Sequence, residues 1–158
     1  MDATQVANLT LLAITANIAP VIASLLLGER WNAAIDGSLK LPDQRPLLGR
    51  SKTIRGVFSS VLVTSLLAPL FGFSPASGAA FAGLAMLGDL CSSFIKRRLG
   101  FAPGHSVPLL DQVPESLLPL WLLQSKTGGT AAEILAATAI FSLVDLVLSR
   151  LYKLDRTK

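Results

Sequence analysis

Long apolar runs alternate with compact polar stretches along this chain. The first run covers about Val6 to Leu27, is broken only by Asn8, Asn17 and small polar residues, and stops at Gly28. It is long enough to cross a hydrocarbon core of about 30 Å. Asn17, at mid-span, is expected to hydrogen-bond across to another helix. The second run, Val57 to Phe73, is short for a crossing and carries Pro69 near its end. Ser74-Pro75 then reads as the N-cap and first residue of a third helix, about Pro75 to Arg98. Ala79, Ala80, Ala82, Gly83 and Ala85 give that helix a small-residue surface suited to close packing. Pro114 to Gln124 is a fourth run, short and interrupted by Pro119, so it is expected to tilt, kink or re-enter. Thr130 with Glu133 three residues on is a capping-box pattern. It opens a fifth helix reaching about Tyr152. The expected fold is all-α: a single integral-membrane domain over residues 1–158, a polytopic membrane protein with about five transmembrane helices and polar loops at about 29–55 and 96–112.

Composition supports the membrane reading. The chain is 51% hydrophobic and only 15% charged, with a mean hydropathy of +0.57. A soluble domain carries about a quarter charged residues. The net charge of +4 suits nucleic acid or an anionic lipid surface. Aromatics are scarce and the basic residues lie between apolar runs, which favours lipid and argues against nucleic acid. The lone cysteine, Cys91, excludes an intramolecular disulfide and a cysteine-based zinc site. No basic residue precedes the first run, so it lacks the n-region of a cleaved signal peptide and reads as a retained helix.

Basic residues also set an expected orientation. Residues 29–55 hold six Lys/Arg, residues 96–112 hold three and residues 150–158 hold four, which is thirteen of the fourteen. With five crossings all thirteen fall on one side, and only Lys126 on the other. The positive-inside rule then puts the N-terminus outside, the C-terminus in the cytoplasm and both polar loops on the cytoplasmic face of the cell (inner or plasma) membrane.

Candidate chemistry concentrates in Gly88 to Gln112, GDLCSSFIKRRLGFAPGHSVPLLDQ. On a continuous helix Asp89, Ser92, Ser93 and Lys96 fall at i, i+3, i+4 and i+7, which is one face. Asp89 to Lys96 then spans about 10 Å along the axis, comparable with an extended polyphosphate. An ionisable residue inside a membrane helix is costly and by default functional, which singles out Asp89. Asp89 and Asp111 offer the one or two carboxylates that Mg²⁺ takes alongside phosphate oxygens and water, if the Gly/Pro-rich turn folds back. Lys96 and Arg97 would neutralise phosphate oxygens. The plainer alternatives stay open: Lys96-Arg97-Arg98 as a positive-inside flank, Asp111 as a helix N-cap, His105 as a solvated turn residue. In the first loop, Ser51, Lys52, Thr53 and Arg55 precede the second helix. Hydroxyls and cations at a helix start favour phosphate, although the glycine spacing of a P-loop is absent. Asp36 and Asp145 receive no role. The chain has no Ser/His/Asp nucleophile set, no His/Cys metal spacing and no dinucleotide fingerprint.

Ser93-Phe-Ile-Lys96-Arg97, Pro103-Gly104-His105 and Asp111-Gln112 resemble the signature of the integral-membrane CTP:lipid-phosphate cytidylyltransferases, which include the CDP-diacylglycerol synthases. The small branch of CDP-archaeol synthases is more similar still. Its loop after the first helix is matched by Asp36-Gly37 and by Leu48-Gly49-Arg50-Ser51-Lys52-Thr53-Ile54-Arg55-Gly56. The chain differs from the larger synthases in Ser106, where they have glycine, and Gln112, where they have arginine. The resemblance implies a nucleotidyltransferase that joins CTP to a lipid phosphate, of archaeal diether or phosphatidate type, releasing pyrophosphate. It implies Mg²⁺ on Asp89 and Asp111, with Lys96 and Arg97 in catalysis. Ser51, Lys52, Thr53, Arg55, Ser92, Ser93 and His105 would bind nucleotide or phosphate. CTP and bilayer lipid are the implied partners, and a homo-oligomer is compatible. A CTP-dependent polyprenol kinase and a small ion transporter or channel are the competing readings.

Overall fold

The computed structural model describes residues 1–102, 105 and 107–155, with side chains described through residue 150. Pro103, Gly104 and Ser106 of the signature turn, and Arg156 and Lys158 of the basic tail, lie outside the described residues. The described residues are helical, with no β-strand. Helix α1 covers Ala3–Leu27, α2 Ile54–Leu67 and α3 Pro75–Arg98; α4 (Leu118–Leu122) and α5 (Gln124–Thr127) are short, and α6 covers Ala131–Asp155. A 3₁₀ turn, Ala68–Phe71, extends α2, and a π-type turn, Val113–Leu117, leads into α4.

Four helical stretches are long and apolar enough to cross a membrane: Ala3–Leu27, Ile54–Phe71, Pro75–Arg98 and Ala131–Arg150. The remaining expected crossing, the fourth run, is a broken succession of π turn, α4 and α5. Pro114 and Pro119 each lack an amide donor, which interrupts the helical hydrogen-bond ladder twice within this short stretch.

The helix starts follow from local chemistry. Asp2 caps α1 by accepting from Thr4 N at 2.9 Å. Ser74 caps α3 through Ser77 N at 3.1 Å, with Pro75 as the first helical residue. Thr130 and Glu133 exchange side-chain and backbone bonds at the start of α6, completing the capping box. Glu133 also accepts from Asp2 N at 2.7 Å, which sets the starts of α1 and α6 side by side. Gln5 Nε2 donates to Thr127 O, so Lys126 belongs to this same end of the bundle. The residue 29–55 loop and the end of α3 meet at the opposite end.

Leu9 and Leu12 of α1, Phe81 of α3, Leu120 of α4, and Ile134 and Phe141 of α6 form the centre of one buried cluster. Phe58, Leu66, Leu70 and Leu143 point outward and are exposed. In a bilayer those faces meet lipid, so helix association rests on close packing and on a few polar contacts. Asn17 does not bond across helices as expected. Its amide donates to Ala13 O of its own helix at 3.0 Å. The interhelical bond is made instead by Ser60 Oγ, which donates to Ala16 O at 2.6 Å. On α3, a side chain at Gly88 would collide with the Pro114 backbone, so glycine here lets the π turn lie against the helix.

Candidate active site

The inward face of α3 carries the chemistry. Gly88, Ser92, Ser93, Lys96 and Arg97 are buried, whereas Leu87, Cys91, Phe94 and Ile95 are exposed. This is the polar stripe that the 3.6-residue period predicts. Ser92 Oγ donates to Asp89 O within the helix, at 3.0 Å.

Two lysine–carboxylate pairs occupy that face. Lys52 Nζ lies 2.5 Å from Asp89 Oδ1 and 2.6 Å from Oδ2. Lys96 Nζ lies 2.6 Å from Asp111 Oδ1 and also donates to His105 O at 3.1 Å. The second Asp111 oxygen accepts from Val107 N at 2.9 Å. Asp111 is therefore bound within its own turn and is not a cap for the following helix. Asp89 and Asp111, grouped from sequence as one carboxylate pair, each hold a lysine here. Helix α3 supplies the acid of one pair and the base of the other.

Lys52 reaches Asp89 because the first loop is folded. Ala34 and Thr53 form an isolated antiparallel bridge, as do Lys40 and Pro46. Thr53 caps α2 by accepting from Gly56 N at 3.1 Å. Arg98 pairs with Asp43 at 2.6 Å and donates to Pro46 O at 2.6 Å, and Arg45 donates to Arg98 O. Arg98, which read as a membrane flank, thus fastens the loop to the end of α3. Arg55 is buried and donates through Nη1 to Gly28 O at 2.8 Å and Arg30 O at 2.6 Å. It closes the end of α1 and is turned away from the phosphate role expected of it.

A cavity of about 740 Å³ opens beside the Lys52–Asp89 pair. Ser51, Lys52, Thr53, Asp89, Glu115 and Asp145 line one part of it. Ile18, Val21 and Leu25 of α1 and Val144 and Leu148 of α6 line the rest. The cavity is amphipathic, with a charged end and walls of aliphatic side chains. Lys96, Arg97 and Asp111 lie outside this wall in a second, more buried cluster, the two bases about two turns further along α3 than Asp89. Nε and Nη1 of Arg97 are buried without a hydrogen-bond partner among the described residues. Buried guanidinium donors are costly when unpaired, and an anion at this point would satisfy them. His105 is exposed, its ring stacked on Phe101 at 5.1 Å between centroids.

Three further polar residues lie in or beside the site without having been given a role from sequence. Glu115 is 8% exposed and lies beside Asp89, Lys52 and Asp145. Gln112 is fully enclosed; its amide donates to Asp145 Oδ2 at 2.8 Å and accepts from Leu109 N at 2.7 Å. Asp145 thereby belongs to the bundle interior. The signal for Glu115 was present: a carboxylate inside an apolar run marks a site for the same reason that Asp89 does.

A family model described as CarS-like, CDP-archaeol synthase, matches residues 76–154. The chain is 33% identical to the CDP-archaeol synthase of Aeropyrum pernix, over 94% of this chain and 87% of that protein. It is 34% identical to that of Thermofilum pendens, over 88% and 71%. The chain belongs to the CDP-archaeol synthase family. These are CTP-dependent cytidylyltransferases, that is, nucleotidyltransferases. The synthase of Hyperthermus butylicus is 42% identical over 64% of this chain and 61% of its own length. A solved structure, of an intramembrane enzyme for archaeal membrane lipid biosynthesis, superposes with a TM-score of 0.74 at 33% identity, over 89% of this chain and 90% of that one. The all-helical fold, its apolar helices and the family thus agree.

Proposed function

We propose that this protein transfers the cytidylyl group of CTP to a lipid phosphate, forming a CDP-activated lipid and pyrophosphate. An oxygen of the lipid phosphate attacks the α-phosphorus of CTP, the bond to the bridging α–β oxygen breaks, and pyrophosphate departs. No covalent enzyme intermediate is needed, because the acceptor is already anionic. The relatives are named for CDP-archaeol, which favours an archaeal diether phosphate as acceptor. The observation that carries this reading is the amphipathic cavity, where Lys52 and Asp89 stand at the charged end of an aliphatic slot. A lipid phosphate has that same division.

Catalysis would come from positioning and charge neutralisation. Lys52 and Lys96 meet phosphate oxygens, and the unpaired donors of Arg97 stabilise charge on the triphosphate and leaving pyrophosphate. Ser51 and Thr53 line the cavity and add hydroxyls there, whereas Ser92, Ser93 and His105, expected to bind nucleotide or phosphate, are not part of its wall. Among the described residues no three His, Cys, Asp or Glu side chains cluster as a metal site. Asp89 remains open to the cavity, its side chain 19% exposed. One or two carboxylates with phosphate and water suit Mg²⁺; here Asp89, with Glu115 beside it on the cavity, would hold it, whereas Asp111, grouped with Asp89 from sequence, is bound to Lys96 in the second cluster. When bound, the ion supplies positive charge to the triphosphate. The excess of basic residues in the 29–55 loop and at the end of α3 favours a cytoplasmic site, where CTP is present.

The test uses purified protein in lipid, α-labelled CTP, Mg²⁺ and a panel of diether and diester phosphates. Label is expected in the organic phase with a diether phosphate. Asp89→Asn and Lys96→Ala should lower the rate by on the order of 100-fold or more. A folded wild type that binds CTP yet labels no lipid phosphate would refute the assignment.

A further inference from the structure

Lys52 owes its place to a residue that touches neither the cavity nor Asp89. Asp36 Oδ2 accepts from Leu48 N at 2.8 Å and from Gly49 N at 3.2 Å. Its other oxygen accepts from Ser38 N at 3.0 Å. The carbonyl of Gly49 in turn accepts from Lys52 N at 3.1 Å. From the other side, Ile35 N, the neighbour of Asp36, donates to Lys52 O at 2.9 Å. Both backbone groups of Lys52 are thus held by segments that meet at the Asp36 carboxylate. A flexible four-carbon stem finds one carboxylate only if its backbone is fixed. The loop has few apolar contacts to supply that fixity, since Leu39 is 54% and Trp31 79% exposed.

We infer that Asp36 is a positioning residue for Lys52, its carboxylate gathering residues 48–52 so that the ammonium meets Asp89. A carboxylate accepting several backbone N–H groups is well suited to this, because each bond to an ionised acceptor is stronger than a neutral one. Asparagine keeps one carbonyl oxygen. It can serve Leu48 and Gly49 together but not Ser38 as well.

The experiment follows the rate at which an amine-reactive ester modifies Lys52 in the full-length protein in lipid, without CTP or acceptor. The exposed Lys126 serves as internal reference, and peptide mass spectrometry as the readout. Asp89→Asn, which removes the partner directly, sets the rate for a released Lys52. Asp36→Ala should approach that rate, a rise of several-fold, and Asp36→Asn should fall between it and wild type. Lys52 labelling that stays at the wild-type ratio in folded Asp36→Ala and Asp36→Asn would overturn the inference.

The activity arm rests on the cytidylyltransferase reading. There Asp36→Ala should lower kcat about tenfold in wild type but have little further effect in a Lys52→Ala background. Losses that multiply in the double variant would mean Asp36 acts through some other part of the protein, and would overturn the positioning role. If wild type transfers no label, the functional reading fails, while the labelling arm still decides the role of Asp36.

Discussion

Ser60 Oγ donates to Ala16 O at 2.6 Å, across the α1–α2 interface. Ala16 O is the carbonyl that Pro20, four residues on, cannot serve, because proline has no N–H. The imino acid thus opens an acceptor inside the bundle, and a hydroxyl from the neighbouring helix fills it. Ser60→Ala should cost about 1 kcal/mol, within the range for interhelical hydrogen bonds in membranes. In a Pro20→Ala background the cost should shrink, since the restored amide supplies Ala16 O from within α1. Unfolding of the four proteins in mixed micelles would reveal this coupling; additive losses would show that the two residues act separately.

Gly88 and Gly83 sit five residues apart on α3 with opposite surroundings. A side chain at Gly88 meets the Pro114 backbone, while one at Gly83 meets nothing within 4 Å. Gly88→Ala should destabilise the fold by about 1–3 kcal/mol, the usual cost of overpacking. It should also lower activity, because the displaced turn carries Glu115. Gly83→Ala should be neutral or slightly stabilising. Equal thermal stability of the two variants would contradict this packing.

Arg55 and Lys52 lie three residues apart and should fail differently. Arg55→Ala leaves Gly28 O and Arg30 O without their donor. Its expected effect is a lower Tm, with KM for CTP and for lipid phosphate within about twofold of wild type. Lys52→Ala should lower kcat or raise KM at little cost in Tm. A rise in KM with unchanged Tm for Arg55→Ala would restore the phosphate-binding role that the sequence suggested.

Much of this was legible beforehand. The caps at Ser74 and Thr130, the extent of α3 and its polar face follow from local rules, and each is present in the structure. The interior of the first loop was not legible. Asp36, Asp43 and Arg98 act through partners 12 to 55 residues away, and no periodicity encodes such a distance. Arg55 misled for a related reason. A cation before a helix fits phosphate and an open helix end equally well, and only the position of Gly28 decides between them. Asp111 was assigned to the chemistry but not to Lys96, because the two lie fifteen residues apart across a Gly/Pro-rich stretch of sequence and no periodicity links them.

Acid should loosen the first loop. Partial burial works to raise the pKa of Asp36, but the N–H donors of Leu48, Gly49 and Ser38 outweigh it and hold the carboxyl below its ordinary value. A depressed folded-state pKa means the stabilisation is complete above the unfolded value near 3.8 and is lost as pH falls through the folded one. Amide exchange at Leu48 and Gly49, corrected for its intrinsic rate, should be flat near neutrality and accelerate below about pH 4. Asp36→Asn should abolish that step. A step that persists in the variant would assign the titration to another group.

The Lys52–Asp89 and Lys96–Asp111 pairs also bear on how the chain is made. A lone aspartate near the centre of an inserting helix costs about 2.5–3.5 kcal/mol. Lys52 leaves the ribosome before Asp89, so a counter-charge is already waiting at the membrane surface when α3 partitions. Lys96 emerges at the polar end of that helix, where an ammonium can stay hydrated, and Asp111 follows it fifteen residues later. The order of charges along the chain therefore gives Asp89 a counter-charge that is synthesised before it.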